Sequence, residues 1–271
     1  MKAVPADVWA LGSAYEPYIG RWSRLVAEEF VAWLDVAPGS SWADVGCGTG
    51  ALTQAILALS VPRAVVALDA SFSFASYARA NVADARASLA VADARALPWS
   101  NESADAVVSG LVLNFVSTPE HAVEDMARVA KRGGVVAAYV WDYAGGMQML
   151  RRFWDVATSL DRSASSLDEG TRFPMCAPDH LAMLWHKGGL SAVKLRAIEV
   201  PTRFASFDDF WTPFLGGHGP APTYVANLSD AKRERLRDTL RQSLESTSGD
   251  GFELIARAWG IRGSVPARTY S

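Results

Sequence analysis

Between about residues 21 and 141 the spacing of hydrophobic positions changes repeatedly along the chain. Short apolar runs rich in β-branched residues, such as 64–68, alternate with Ala-rich stretches of helical period, such as 51–60. Runs of the first kind are typical of buried strands, and the second kind favours helices. Strands that alternate with helices predict βαβ crossovers and a parallel sheet covered on both faces. The predicted strands are 41–45, 64–68, 89–92, 105–109 and 134–140, and the predicted helices are 51–60, 71–84 and 119–131.

After Trp141 the pattern becomes less regular. Residues 147–160 place apolar side chains at helical spacing, and a second helix is predicted near 178–187. Two later segments alternate like strands, at 193–200 and 252–259, with helical and loop-like sequence between them. We therefore predict a regular sheet domain in residues 1–141. Residues 142–271 would supply the rest of the sheet and helical insertions that cap one end, all within one compact domain.

Composition and charge narrow the class of protein. The chain has 271 residues, of which 50% are hydrophobic and 20% are charged, which is typical of a globular protein rather than a disordered or fibrous one. The formal net charge is −3, so nothing in the composition indicates a nucleic acid or an anionic membrane surface as partner. Two cysteines, Cys47 and Cys176, are too few for a disulfide framework.

No segment of the sequence is predicted to direct the protein into or across a membrane. Pro5 and Asp7 stand where the apolar part of a secretory signal would run. The longest weakly polar run, 106–116, is far shorter than the roughly 20 apolar residues that span a bilayer. We therefore expect a soluble, cytoplasmic protein without membrane insertion. The oligomeric state is left open.

A glycine-rich segment, Asp44-Val45-Gly46-Cys47-Gly48-Thr49-Gly50, joins the first predicted strand to the first predicted helix. Glycines at such a junction allow a tight turn and a close approach to a ligand, and the N–H groups at the helix start face that ligand. A purely structural turn is the alternative, but three alternating glycines favour binding. Gly46, Gly48 and Ala51 also satisfy the relaxed dinucleotide pattern G-x-G-x-x-A. The segment thus predicts a nucleotide or nucleoside cofactor without identifying it.

Carboxylates lie at or just after the ends of three successive predicted strands. Asp44 is the penultimate residue of the first, Asp69 follows the second and Asp93 follows the third, so all three lie at the edge of the sheet where ligands of open α/β proteins bind. Asp69 is placed to accept hydrogen bonds from ribose hydroxyls. Nicotinamide sites and other nucleoside sites share this feature, so it does not distinguish between them. Asp93 is placed to accept one from an adenine amine, and the next peptide N–H can serve a ring nitrogen. The third carboxylate makes an adenine nucleoside the favoured ligand.

With these motifs the sequence resembles the class I S-adenosylmethionine-dependent methyltransferases, especially the small-molecule branch with ubiquinone- and menaquinone-type enzymes. The resemblance covers roughly residues 15–141, in the family's order and spacing. Its segments are DVGCGTG (44–50), ALDAS (67–71), VADARALP (91–98), SADAVVSGLVLNFV (103–116) and RVAKRGGVVAAYVW (128–141). The family implies an α/β fold with a Rossmann-like, doubly wound sheet of about seven strands. The sheet would be mostly parallel with an antiparallel last strand, and S-adenosylmethionine would be the cofactor.

The resemblance also implies a set of cofactor-binding residues. They are Tyr15, Arg21, Asp44, Gly46, Cys47, Gly48, Asp69, Ala70, Asp93, Ala94 and Ser109. Within this set, residues 46–48 would line the methionine part and Asp69 would hold the ribose. Asp93 and Ala94 would form hydrogen bonds with the edge of the adenine.

The remaining members of the set would complete the pocket. Ala70 would lie beside the adenine, and Ser109 would close the pocket with its backbone. Tyr15 and Arg21 are predicted partners of the cofactor carboxylate, because a guanidinium offers a fork of donors to it. The alternative for Arg21 is a surface charge at a helix start.

No catalytic residue is predicted. Many relatives carry histidine after the fourth strand, whereas this chain has Asn114-Phe115, so an imidazole base is missing there. Asp142 and Tyr143, just after the fifth strand, are the nearest candidates for a base. The four histidines, His121, His180, His186 and His218, lack the spacing of metal ligands, and no metal is expected.

Ten tryptophans are an unusual feature of the composition, and several lie in the irregular second half. Large rings supply most of the area of apolar pockets, although packing in a core is the more common role. Trp141, Tyr143 and Trp211 are the predicted acceptor-facing residues.

Together these observations predict a methyltransferase that moves a methyl group from S-adenosylmethionine by in-line displacement to a small, apolar or aromatic acceptor. Two alternatives stay open at this point. One is an NAD(P)-dependent oxidoreductase that shares the glycine turn. The other is a non-catalytic S-adenosylmethionine-binding module on the same fold, which the missing histidine allows.

Overall fold

A computed structural model describes residues 19–216, 219–245 and 251–267 of the chain. The strands are β1 (Ser41–Val45), β2 (Ala64–Asp69), β3 (Ala87–Val91), β4 (Ala104–Gly110), β5 (Ala130–Trp141), β6 (Ser191–Phe204) and β7 (Phe252–Ser264). They form one sheet in the order β3-β2-β1-β4-β5-β7-β6. The first five strands pair in parallel, and β7 pairs antiparallel with β5. The predicted seven-stranded, mostly parallel sheet is therefore confirmed.

Ten α-helices lie before, between or after these strands in the described ranges. They are α1 (Arg21–Leu34), α2 (Ala51–Leu59), α3 (Phe72–Asn81), α4 (Pro119–Val129), α5 (Gln148–Leu160), α6 (Glu169–Arg172), α7 (Pro178–Lys187), α8 (Phe207–Trp211), α9 (Pro220–Ala226) and α10 (Asp230–Glu245). Both α4 and α7 begin at a proline, whose fixed φ suits the first helical position. Of the helices described, none combines the length and the apolar character that crossing a bilayer requires.

Several predicted boundaries differ from the structure, among them the ends of two helices. The helix predicted for 119–131 ends at Val129, because Ala130 already pairs with Ala104 at a register shift between β4 and β5. The helix predicted for 71–84 ends at Asn81. There the Asp84 carboxylate accepts hydrogen bonds from the peptide N–H and the guanidinium of Arg86, a local alternative to helical bonding.

The chain divides into two compact units. The sheet unit comprises Ser23–Trp141, Met175–Ile198 and residues 258–267, and the aromatic unit comprises the described parts of 19–22, Asp142–Pro174 and Glu199–Arg257. Strands β6 and β7 have residues in both units. One of the points at which the chain passes from one unit to the other follows Trp141, where the sequence pattern changes.

The core of the sheet unit is built on the buried strands. Residues 42–45 of β1 are all buried, and the Phe30 ring of α1 packs on Tyr139 of β5 with centroids 4.7 Å apart. Helix α7 is attached to the sheet by the Trp185 indole N–H, which donates to the Val136 carbonyl at 3.0 Å. These contacts pack α1 and α7 against β5.

The aromatic unit is held together largely by ring contacts. Phe153 stacks on Phe214 with centroids 4.5 Å apart, and Phe204 stacks on Phe252 at 5.2 Å. One acid is buried in this unit, since Glu169 is only 4% exposed and accepts a hydrogen bond from the Trp154 indole N–H. Burial of this carboxyl raises the pKa of Glu169 from 4.5 to about 7.

The raised pKa of Glu169 predicts a pH-dependent stability. Between pH 4.5 and 7 the folded chain holds a proton that the unfolded chain releases, so the free energy of unfolding falls as pH rises through this window. Above pH 7 the cost reaches about 3 kcal/mol. Glu169→Gln should therefore be more stable than wild type in urea unfolding at pH 8 and similar to it at pH 5.

Glu28→Gln, a change at an exposed glutamate of α1, is the matched control and should show no such difference between the two pH values. An equal effect of Glu169→Gln at pH 5 and pH 8 would contradict the proposed burial cost.

Candidate functional site

A cleft of about 300 Å³ opens in the sheet unit at the carboxyl ends of the parallel strands. It is lined by Gly46, Leu68, Asp69, Ala70, Ala92, Asp93, Ala94, Arg95, Val112, Phe115, Val116 and Ser117. The predicted cofactor residues Gly46, Asp69, Ala70, Asp93 and Ala94 are among them. The cleft thus brings together residues from the loops after β1, β2, β3 and β4.

The glycine turn after β1 is packed tightly against the loop after β4. Gly46 has φ 77°, and a Cβ atom placed on it would lie 2.6 Å from the Val112 methyl carbons. The N–H groups of Gly46 and Cys47 both donate to the Leu68 carbonyl at 2.8 Å. Leu111, which precedes Val112, has φ 61°, a conformation that bulky residues rarely adopt. Backbone strain of this kind is found preferentially at functional sites.

Asp69 connects the end of β2 to the glycine turn. Its Oδ2 accepts the Gly48 N–H at 3.0 Å, and its Oδ1 accepts the Ser71 N–H at 2.8 Å. Burial raises the pKa of Asp69 above its ordinary value, although these two hydrogen bonds oppose the shift. The carboxylate therefore orders the turn and lines the cleft at the same time.

Asp93 and Ala94 follow β3 and present different polar groups to the cleft. The Asp93 carboxylate is bonded by the Arg95 side chain, which lowers the pKa of Asp93 to about 2 and keeps it ionised. The Ala94 N–H makes no hydrogen bond to any other residue of the described ranges. A hydrogen-bond acceptor and a free donor thus stand side by side.

Three other predicted cofactor residues lie beneath the cleft rather than in its lining. Asp44 is fully buried, its Oδ2 accepts the Thr53 hydroxyl at 2.6 Å, and its Oδ1 has no partner among the described residues. Burial raises the pKa of Asp44 to about 7 and also raises that of the Cys47 thiol. The buried Ser109 hydroxyl donates to the Val45 carbonyl at 2.8 Å. Their roles toward a cofactor stay predictions.

Gly48, also predicted to line the methionine part, has φ 52° and no atom within 4 Å of a Cβ placed on it. Open space at this glycine is compatible with a ligand that approaches the backbone.

Arg21 lies in the aromatic unit, and Tyr15 lies outside the described residues. The Arg21 guanidinium donates to Asp209 at 3.1 Å through Nη1 and lies over the rings of Trp22 and Phe204. Its Nε and Nη2 atoms are buried and have no partner in the described part of the chain. These two atoms form one edge of the guanidinium, and such an edge suits a carboxylate.

The predicted acceptor-facing side chains are buried. Trp141 is 2% exposed in the sheet unit, whereas Tyr143 and Trp211 are 6% and 5% exposed in the aromatic unit. The candidate base Asp142 accepts hydrogen bonds from the Arg257 guanidinium at 2.7 Å and the Gly145 N–H at 3.0 Å. Both oxygens of Asp142 therefore hold the chain in place after β5. The part of the chain that the structure describes contains no cluster of side chains able to hold a metal ion.

Three residues of the cleft lining were not predicted from the sequence, namely Arg95, Phe115 and Ser117. Phe115 and Ser117 belong to an irregular loop, for which hydrophobic period gives no placement. Arg95 carried no local signal either, because the pentapeptide ADARA at 92–96 also occurs at 83–87, where it does not line the cleft.

Comparison with known proteins identifies the family. Residues 43–138 match the family model described as a methyltransferase domain. A demethylmenaquinone methyltransferase of Roseiflexus castenholzii is 30% identical over 167 residues, which cover 57% of this chain and 69% of that protein. The chain belongs to the class I S-adenosylmethionine-dependent methyltransferases. The nicotinamide alternative is therefore not supported.

Solved structures share the fold of this methyltransferase at lower identity. The YcgJ protein of Bacillus subtilis superposes with a TM-score of 0.60 at 16% identity, covering 90% of this chain and 99% of that one. Phosphoethanolamine N-methyltransferase 2 of Haemonchus contortus, in complex with phosphomonomethylethanolamine and S-adenosylhomocysteine, gives 0.58 at 16% identity, over 94% of this chain and 57% of that one. The cofactor of the family, and of this chain, is S-adenosylmethionine. The carboxylates and the free N–H of the cleft fit its nucleoside part.

The packing of Gly46 in this methyltransferase predicts a selective loss of stability. Gly46→Ala should lower the free energy of unfolding by about 2–4 kcal/mol, from the left-handed backbone and the contact with Val112. Gly39→Ala is the matched control, since Gly39 has φ 78° but nothing within 4 Å, and should cost only about 1–2 kcal/mol.

Adding Val112→Ala to Gly46→Ala should restore part of the loss, measured by urea unfolding in a double-mutant cycle. A cycle in which the two changes add independently would show that the contact between them is unimportant.

Proposed function

We propose that this methyltransferase binds S-adenosylmethionine in the cleft of the sheet unit and methylates a small, apolar or aromatic acceptor. The placement of the cofactor is supported above all by two neighbouring groups, the Asp93 carboxylate and the free Ala94 N–H. Adenine presents the complementary pair, an amine that donates and a ring nitrogen that accepts.

In this proposal each loop of the cleft binds one part of the cofactor. Asp69 accepts hydrogen bonds from the ribose hydroxyls, and Ala70 lies beside the adenine. The turn at 46–48 borders the methionine part, and the open space at Gly48 leaves room for it. Arg21 stays a prediction as a partner of the cofactor carboxylate, and its unpartnered Nε–Nη2 edge suits a group of that kind.

The displacement itself needs no base; a proton that the acceptor loses would pass to solvent, and no residue is assigned as its base. Bound S-adenosylmethionine carries its methyl group on a sulfonium, from which an in-line displacement transfers it to the acceptor. Alignment of two reactants can contribute about 7–11 kcal/mol to such a reaction. This chain's contribution is to hold the cofactor, as argued above, and to exclude water with apolar side chains such as Val112, Val116 and Phe115.

The acceptor class is supported by two observations. Phe115 lines the cleft and is 41% exposed, so part of an aromatic side chain forms the surface of the cleft. The relative from Roseiflexus castenholzii is named for demethylmenaquinone, whose class is apolar and aromatic. Trp141, Tyr143 and Trp211 stay predictions as acceptor-facing residues.

The role of Asp69 predicts a loss of cofactor affinity. Asp69→Ala should raise the Kd of S-adenosylhomocysteine about ten- to hundred-fold in calorimetry, because hydrogen bonds to a charged group are removed. Asp84→Ala, which removes a carboxylate that does not line the cleft, should leave the Kd unchanged. Unchanged affinity in Asp69→Ala would exclude it from the site.

Methyl transfer itself is tested with radiolabelled S-adenosylmethionine and two acceptor panels, reduced naphthoquinones and short-chain carboxylic acids. We expect label on the naphthoquinols and none on the acids. Transfer to the acids alone would contradict an apolar aromatic acceptor. Tight cofactor binding with no transfer to either panel would contradict the proposed acceptor class.

A further inference from the structure

The tripeptide Asp-Ala-Arg occurs twice, at 84–86 and 93–95, and both copies fold alike. In each copy the arginine turns back onto the aspartate two residues before it. Arg86 donates to Asp84 from its peptide N–H at 2.8 Å, from Nε at 3.0 Å and from Nη2 at 2.7 Å. Arg95 makes the same contacts with Asp93, at 2.8, 3.0 and 2.6 Å. Only the second copy lines the cleft.

The contacts of Arg95 leave the Asp93 carboxylate with little acceptor capacity. A carboxylate has about four lone-pair positions in its plane. The peptide N–H and Nε of Arg95 occupy Oδ1, and Nη2 occupies one position on Oδ2, with Nε also within 3.1 Å of Oδ2. One position on Oδ2 is left, so Asp93 can accept one further hydrogen bond.

Arg95 also connects two loops that belong to distant strands. Its Nη1 donates to the Ser117 hydroxyl at 3.1 Å, in the loop between β4 and α4. In the sheet, β2 and β1 lie between β3 and β4. The guanidinium is therefore held at both ends, and the carboxylate that it grips has a defined orientation in the cleft.

We propose that Arg95 is a positioning residue that makes the cleft specific for a 6-amino purine, by presenting a single acceptor position of Asp93 next to the free N–H of Ala94. The inference rests on the proposed function, in which these two groups read the adenine edge. A 6-oxo purine carries the opposite pattern, an oxygen that accepts and a ring N–H that donates. It would place an acceptor against Asp93 and a donor against Ala94, so both contacts would be repulsive.

The test compares S-adenosylhomocysteine with its deaminated analogue, S-inosylhomocysteine, by calorimetry on the full chain. Wild type should bind the analogue at least ten-fold more weakly. Arg95→Ala should reduce this preference to less than about three-fold. Arg95→Lys keeps the charge but lacks the planar fork, so it should lose the preference as well.

Arg86→Ala is the matched control, because it removes an ion pair of the same geometry outside the cleft. It should keep the wild-type preference. Thermal unfolding of each variant shows whether it is folded, and the ratio of the two Kd values is insensitive to a uniform loss of active protein.

The outcomes separate this inference from the function on which it rests. A wild type without preference would overturn both the inference and the proposed adenine reading by Asp93 and Ala94. A wild-type preference that persists in Arg95→Ala or Arg95→Lys would overturn only the role of Arg95. Loss of the preference in Arg86→Ala would also overturn the role of Arg95, because a general structural effect would then explain the loss in the Arg95 variants.

Discussion

Gly46 lies so close to Val112 that no side chain fits between them, and the geometry of the cleft depends on this contact. It brings the turn after β1 against the loop after β4, although the two segments are 66 residues apart in the chain. The strained Leu111 turns the chain into that loop, and Val112, Phe115 and Ser117 then form one wall of the cleft. This approach gives the cleft a wall on the side of β4.

Three aspartates at successive strands show how environment separates residues of one type. Asp44 is enclosed beneath the turn, and burial raises its pKa to about 7. Asp69 is partly enclosed and divides its oxygens between the peptide N–H groups of Gly48 and Ser71. Asp93 is exposed and gripped by Arg95, which lowers its pKa to about 2. The first supports the turn, the second links it to β2, and the third is available to a ligand as a permanent anion.

Much of the sheet could be predicted, because buried parallel strands are marked by continuous apolar runs with clear ends. The first strand was predicted with its observed bounds, and so was α7, which begins at Pro178 and ends before two glycines. Less could be predicted where pairing with a distant segment decides the conformation. Ala130 is a strand residue only because β4 lies beside it, and local helical preference gave the wrong state there.

For the site, the sequence by itself determined which chemical groups stand at the ends of β1, β2 and β3, since glycine turns and carboxylates after apolar runs are local features. Tertiary structure alone decided which of them meet. Ser109 and Asp44 proved to be buried beneath the cleft, and Asp142 is engaged by Arg257 from β7, 115 residues later. Arg95 became part of the site because it reaches Ser117 across two intervening strands, whereas the identical tripeptide at 84–86 does not line the cleft. The physical reason is that a side chain's partners depend on the three-dimensional order of the strands, and no local pattern of residues encodes that order.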